Sequence, residues 1–361
     1  MHIAKSWTAK LDDYVIDLAW SPDGRILAAA SAAGAITVFS AEGGLLHRLP
    51  GHVDGTNALA WPPAGGGPEP GGIVLASGGQ DGCVRFWDAA SGHQIAEVKL
   101  GSTWIEQLAW GPMAGRVAPN EPTFSEETRR GKDSRPYLAA AAGRKLIFLG
   151  PDGAIAHTAK DAPKTLSTLA WHPRGGAVAV GWFGGVCLWD ADDFHPQREY
   201  AYGSAIEALC WSPDGRWLVA GAQDNAVHLW LPAEDQEFHM SGYETKVREL
   251  SFSSDSRWLA TGGARDACVW DCSGAGPEGR EPLALPHSDR VVAVAFRHRR
   301  ELLATAANDN EVSLWSPSRS EPLVASLRLT APASKLVWSL DDTRLAIGSQ
   351  QGGVLVLSVD A

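Results

Sequence analysis

The chain has 361 residues, beyond the roughly 250 to 300 at which one hydrophobic core stops growing, so it must either divide or repeat. It is 45% hydrophobic and 20% charged, which excludes global disorder, and its net charge of −11 opposes sequence-independent binding to phosphate backbones. Sixteen tryptophans are the anomaly, and their positions organise everything that follows.

Residues 1–10 (MHIAKSWTAK) lack the apolar run of a secretory signal, and no later stretch approaches the ~18 apolar residues of a spanning helix. The expectation is a cytoplasmic protein with no leader and no membrane partner. Ile3 to Ala9 stands ahead of the first repeat, in a position suited to a spare strand. A segment closing on a large aromatic then recurs eight times: VIDLAW to Trp20, TNALAW to Trp61, WIEQLAW to Trp110, TLSTLAW to Trp171, IEALCW to Trp211, VRELSF to Phe252, VVAVAF to Phe296 and SKLVW to Trp338. Outside the longer second and third units, successive spacings are 40 to 44 residues, the period of a repeat architecture.

In each of these segments the residue two before the aromatic is apolar and the one just before it is usually small, as in Leu18-Ala19-Trp20 and Leu209-Cys210-Trp211. That alternation reads as a strand, and the small residues suit innermost strands crowded around an axis. A second apolar run closes 18 or 19 residues later wherever no insertion intervenes, pairing Trp20 with Phe39, Trp171 with Trp189, Trp211 with Trp230, Phe252 with Trp270, Phe296 with Trp315 and Trp338 with Leu357. Eleven of the tryptophans fall at these two periodic places, so their abundance is architectural first. Ser-Pro-Asp-Gly at Ser21–Gly24 and Ser212–Gly215 supplies tight turns, and Asp81-Gly82 marks a hairpin. Each unit therefore supplies strands a, b and c and a weaker d, a four-stranded antiparallel meander.

Gly51-His52 followed by SGGQDGCVRFWD at Ser77–Asp88 resembles the WD40 repeat, and weaker copies cover nearly the whole chain. The resemblance implies an all-β, closed WD40-type β-propeller in one domain spanning 1–361. Eight a-b-c sets predict eight four-stranded blades, with Ile3 to Ala9 completing the last one; seven blades is the alternative. The resemblance also implies hydrogen-bonded tetrads of His, Ser or Thr, Asp and Trp: His52, Ser77, Asp81 and Trp87 in unit two, and His287, Thr305, Asp309 and Trp315 in unit seven. Tyr202 and Tyr243 stand where the histidine would be in units five and six, Phe183 takes the Asp place in unit four, and unit six is one residue short before Trp270. In those units no tetrad is assumed.

A meander sends its d-a and b-c connections to one face and its a-b and c-d connections to the other. Two a-b connections are expanded, 62–72 and 112–136, as surface insertions of neighbouring blades. The longer one carries Arg129, Arg130, Lys132 and Arg135 among matching acids; it reads as a solvated loop or as a second docking element. On the opposite face Trp104, Trp182 and Phe183 are the aromatics that periodicity does not explain, and Tyr14, Lys246 and Arg290 occupy matching strand entrances. Aromatics beside cations on a rigid rim make a partner-binding surface, unless they fold inward to fill the axis. The family resemblance implies binding of peptides and partner proteins there.

No GxSxG, HExxH, GxxxxGK[ST] or strand-to-helix GxGxxG motif is present, and the paired carboxylates fall in turns. Cys268 and Cys272 lack a second ligand pair nearby, and the five cysteines read as buried reduced thiols. The reading is a non-catalytic scaffold for proteins or peptides, with no cofactor and no metal, and nucleic acid is not an expected partner. Its alternatives are a propeller enzyme or cofactor or metal binder using the axial channel, and a nucleic-acid adaptor. Abundant Ala and Gly with Arg over Lys points to a bacterial source.

Overall fold

The computed structural model describes residues 2–66, 74–113 and 136–360, and among these there is no helix. The inner strands form where the apolar-small-aromatic pattern predicts them: Val15–Trp20, Thr56–Ala60, Ile105–Trp110, Leu166–Trp171, Leu250–Phe252, Val291–Phe296 and Ala333–Trp338 each open a unit, and the inner strand of unit five is the last part of His195–Trp211. These eight stand side by side around the axis, each touching the inner strands of its sequence neighbours and the last touching the first. The strand Ile3–Lys10 pairs antiparallel with Gly353–Val359, from Ile3 opposite Val359 to Lys10 opposite Gly353, so the N-terminus closes the final blade and leaves no open inner edge.

Hydrogen bonding corrects the expectation of eight separate four-stranded sheets. Among the described residues seven sheets make the ring, six of four strands and one of six, so the blade count by continuous sheet is the alternative, seven. The reason lies in units four and five. Ala177–Asp190 turns at Gly184 and Gly185, where φ is positive; its first half pairs with Leu166–Trp171 and its second with His195–Trp211. His195–Trp211 then runs unbroken from the outer edge of unit four into the inner strand of unit five, where Ile206 faces Ala222 and Trp211 faces Leu218. Gly203 and Ser204 between Tyr200 and Ile206 stay in extended strand conformation and form no turn, so two units share one sheet.

The core lies between units. Trp87 packs with Ala28, Ile36, Val38 and Leu59 of the preceding and its own unit, and Trp230 packs with Val186, Leu188 and Ile206. A buried indole needs an acceptor for its N–H, and six inner-strand tryptophans find it in the same way. Trp20 donates to Val337 O (3.3 Å), Trp61 to Ala19 O (3.0 Å), Trp110 to Ala60 O (3.2 Å), Trp171 to Ala109 O (2.8 Å), Trp211 to Ala170 O (3.2 Å) and Trp338 to Ala295 O (2.9 Å). Each indole thus ties its strand to the preceding one. Phenylalanine cannot donate, and at Phe296 the backbone N–H takes Ser251 Oγ instead (2.9 Å).

Candidate functional site

The face bearing the b-c hairpins and d-a connections holds both the polar networks and the exposed aromatics. In unit two Trp87 Nε1 donates to Ser77 Oγ (2.9 Å), which lies 2.8 Å from His52 Nε2, and His52 Nδ1 lies 2.9 Å from Asp81 Oδ1. Asp81 also accepts from Arg85 (2.6 Å) and from the Cys83 N–H (3.1 Å). Burial works against the Asp81 charge, but the bonds from Arg85 and His52 prevail and hold its carboxyl down at about 2. Burial pulls His52 below the usual histidine value despite Asp81. Arg85 Nη1 also lies 2.6 Å from His52 Nδ1, so Asp81 and Arg85 share that ring nitrogen while Ser77 meets the other.

Unit seven assembles three of its four groups. His287 Nε2 lies 2.7 Å from Thr305 Oγ1, which accepts from Trp315 Nε1 (2.7 Å), but His287 Nδ1 is 3.7 Å from Asp309 and has no hydrogen-bond partner. Asp309 is held instead by the Ser288 N–H and hydroxyl (2.9 and 2.8 Å). Unit six, where no tetrad was assumed, has a network of its own: Trp270 Nε1 donates to Tyr243 Oη (2.9 Å), which lies 2.8 Å from Thr261 Oγ1. The signal was available, because Tyr243 precedes Phe252 by nine residues just as His52 precedes Trp61. In unit five Tyr202 donates to Asp224 (3.0 Å).

Among the rim residues, Trp104 and Phe183 are 53% and 55% exposed and Arg290 is exposed. Trp182 is not on the surface: it is 7% exposed and packs with Leu166, Val180 and Cys187, which corrects its assignment to the partner-binding rim. Adjacent residues of a strand point to opposite faces, so only one of Trp182 and Phe183 can face water, and the larger ring fills the unit that lacks a tetrad. Lys246 and Arg248 are spent on Glu207 (3.4 and 2.7 Å). Val53, 68% exposed on the same face, was not singled out in the sequence because a lone valine carries no pattern. Arg129, Arg130, Lys132 and Arg135 lie outside the described residues, as do most of 62–72 and 112–136.

Seven inner strands carry a one-residue register shift near their entrance, for example between Val15 and Asp17 and between Ala333 and Lys335. Near these shifts charged side chains gather by the axis. Lys335 lies 3.0 Å from Asp17, whose other oxygen accepts from the Leu59 N–H (2.9 Å), a clamp joining units eight, one and two. Burial pushes the Glu249 carboxyl up to about 7 against the pull of Lys335, Arg248 and Arg290; burial and then Glu249 raise the half-buried Tyr14 phenol. All five cysteines are free, and burial raises the Cys268 and Cys272 thiols to about 11 and about 12, so neither supplies a thiolate. Asp190, Asp193 and His195 could approach one metal ion, but Asp190 already accepts from two backbone N–H groups and from Gln197. No described helix is long and apolar enough to cross a membrane.

A family model described as "WD domain, G-beta repeat" matches residues 43–88, 195–230, 235–271 and 281–316, and one described as "Anaphase-promoting complex subunit 4 WD40 domain" matches 2–64. Telomerase protein component 1 of Mus musculus is 25% identical over 204 residues, 55% of this chain and 6% of that protein, so the match spans only a small part of that relative. Target of rapamycin complex subunit LST8 of Bos taurus is 23% identical over 264 residues, 68% of this chain and 73% of that one. The crystal structure of the computationally designed Ika8 protein superposes with a TM-score of 0.73 at 20% identity, covering 97% of this chain and 98% of that chain, a likeness of fold alone.

Proposed function

The chain belongs to the WD40-repeat β-propeller family, and we propose that it is a non-catalytic scaffold holding one or more partner proteins or peptides on the face that bears Trp104 and Phe183. One observation carries this reading: two large aromatics from consecutive units stay more than half exposed on strand ends held rigid by sheet bonding. The bovine relative, by its name a complex subunit, supports protein partners. Tyr14 and Arg290 border the same face, and Lys246, engaged with Glu207, sets its edge.

The enzyme reading gains one observation, since Asp17, Lys335 and Glu249 do converge by the axis. Asp17, however, is committed to Lys335 and to the Leu59 N–H, and burial and Glu249 raise the Tyr14 phenol, which keeps it protonated. Cytoplasmic residence belongs to the same proposal, supported by five free thiols, and so does a bacterial source, suggested by composition beside relatives from animals.

The test is affinity capture from the native host with the wild type and with the Trp104→Ala, Phe183→Ala double variant. Loss of specific partners at an unchanged thermal midpoint is the expected result. Retention of every partner would move the binding surface elsewhere.

A further inference from the structure

The exposed large apolar side chains of this face are not scattered around the ring. Among the described residues, Val53, Trp104 and Phe183 come from consecutive units two, three and four. The backbone between them is continuous: Gln80 N donates to Gly55 O (3.0 Å), Leu100 N to Gly82 O (2.9 Å), Ala162 N to Arg144 O (2.8 Å) and Leu166 N to Gly143 O (2.8 Å). Gly143 leaves room for Thr103, whose side chain would lie 3.0 Å from a Cβ there. Leu166 then pairs with Trp182, next to Phe183. The three apolar groups therefore ride on one bonded arc.

The arc carries more exposed cations than acids. On the b-c hairpin and d-a connection between Trp104 and Phe183, with the entrance residue Glu106, the exposed charges are Arg144, Lys145, Lys160 and Lys164 against Glu106 and Asp161. None of the four cations has an ion-pair partner among the described residues, whereas Lys246 and Arg248 are neutralised by Glu207 and Lys335 by Asp17. The chain as a whole carries −11, so a local excess of cations beside two exposed aromatics runs against its overall charge, although Arg265 and Arg290 of other units are exposed on the same face as well.

We propose that this arc takes an acidic segment of a partner protein, rich in Asp or Glu and carrying aromatic or long aliphatic side chains. The inference rests on the assignment of this face as the binding surface and narrows it to one partner chemistry. Apolar anchors supply the burial at Val53, Trp104 and Phe183, and the acids pair with Arg144, Lys160 and Lys164. The overall negative charge does not oppose this strongly, because exposed charges farther away than about 8 Å are screened at physiological salt and the local cations decide. Asp161, Glu106 and Asp54 interrupt the cations on the same arc, and the exposed apolar groups between them favour a segment that also carries apolar anchors over a uniformly charged phosphate backbone.

The experiment uses the intact protein and four labelled probes read by fluorescence anisotropy. They are a synthetic peptide of mixed Asp, Glu, Phe and Leu, its counterpart with Lys at each acid, its counterpart with Ala at each Phe and Leu, and an oligothymidylate. The acidic-apolar peptide is expected to bind about tenfold tighter than each other probe and to weaken about tenfold in Lys160→Glu, Lys164→Glu, at an unchanged thermal midpoint. Tighter or equal binding of the basic peptide or the oligothymidylate, or no binding of the acidic one, overturns the proposed chemistry. If Trp104→Ala, Phe183→Ala abolishes binding while the charge reversal changes nothing, the chemistry fails and the face stands. If the acidic peptide binds undiminished to the aromatic double variant, the assignment of the face fails with it.

Discussion

Asp81 and Phe183 hold the same place in the repeat, each six residues before a strand-c tryptophan, Trp87 or Trp189. In unit two the acid is drawn inward, bonded to His52, Arg85 and its own hairpin. In unit four no acid is present, Trp182 supplies the packing, and Phe183 is left facing water. One position thus serves stability in one blade and is free for recognition in another. The lesson is that a missing tetrad does not mark a defective repeat: where the polar lock is absent, a buried ring replaces it and the hairpin tip is released.

The largest expected effect separates the two neighbours in unit four. Trp182→Ala should lower the unfolding free energy by about 3 to 5 kcal/mol in denaturant titrations, whereas Phe183→Ala should stay within about 0.5 kcal/mol. Equal losses at both positions would dissolve the contrast.

Acid titration gives the next test. The folded Asp81 carboxyl sits at about 2 against an ordinary value of 3.8, so its contribution, roughly 2 kcal/mol, is complete above the unfolded value and fades as pH falls from near 4 toward 2. His52, lowered below 6.5, acts in the same direction: the unfolded state takes up a proton that the folded ring resists, and stability begins to fall below pH 6.5. Asp81→Asn should flatten the lower of these two limbs. Phe183→Asp should add no such limb, since unit four offers no histidine to receive the new acid; a new acid-sensitive transition there would show that the lock can be rebuilt.

A smaller effect tests the tyrosine network. Tyr243→Phe removes the oxygen that Trp270 and Thr261 share, at an expected cost of about 1 kcal/mol, while Tyr202→Phe, whose hydroxyl meets only a half-exposed hairpin, should cost less. Thermal unfolding of the two variants side by side measures the difference.

Much of this was legible before any coordinates. Strand identity at Val15–Trp20 or Val291–Phe296 follows from local alternation, because a period of two survives in any environment that buries one face. The strand that closes the last blade followed from counting, since eight inner strands left only seven segments to serve as outer ones. The His52 network could be placed by residue type and spacing, but the looser contact of His287 with Asp309 could not, because Ser288, a neighbour of no special pattern, competes for the same oxygen. Trp182 was misplaced for a related reason: adjacent aromatics look alike in a sequence, and only strand phase decides which one turns inward.

The sequence by itself determined the repeat, the direction of each strand and the residue types that lock the hairpins, all consequences of short-range spacing and backbone geometry. Only the tertiary structure decided that units four and five merge into one sheet, that six indoles tie successive inner strands together, and that free cations lie beside Trp104 and Phe183. Those features depend on which distant segments meet, and such meetings are set by the closure of the ring rather than by any window of the chain.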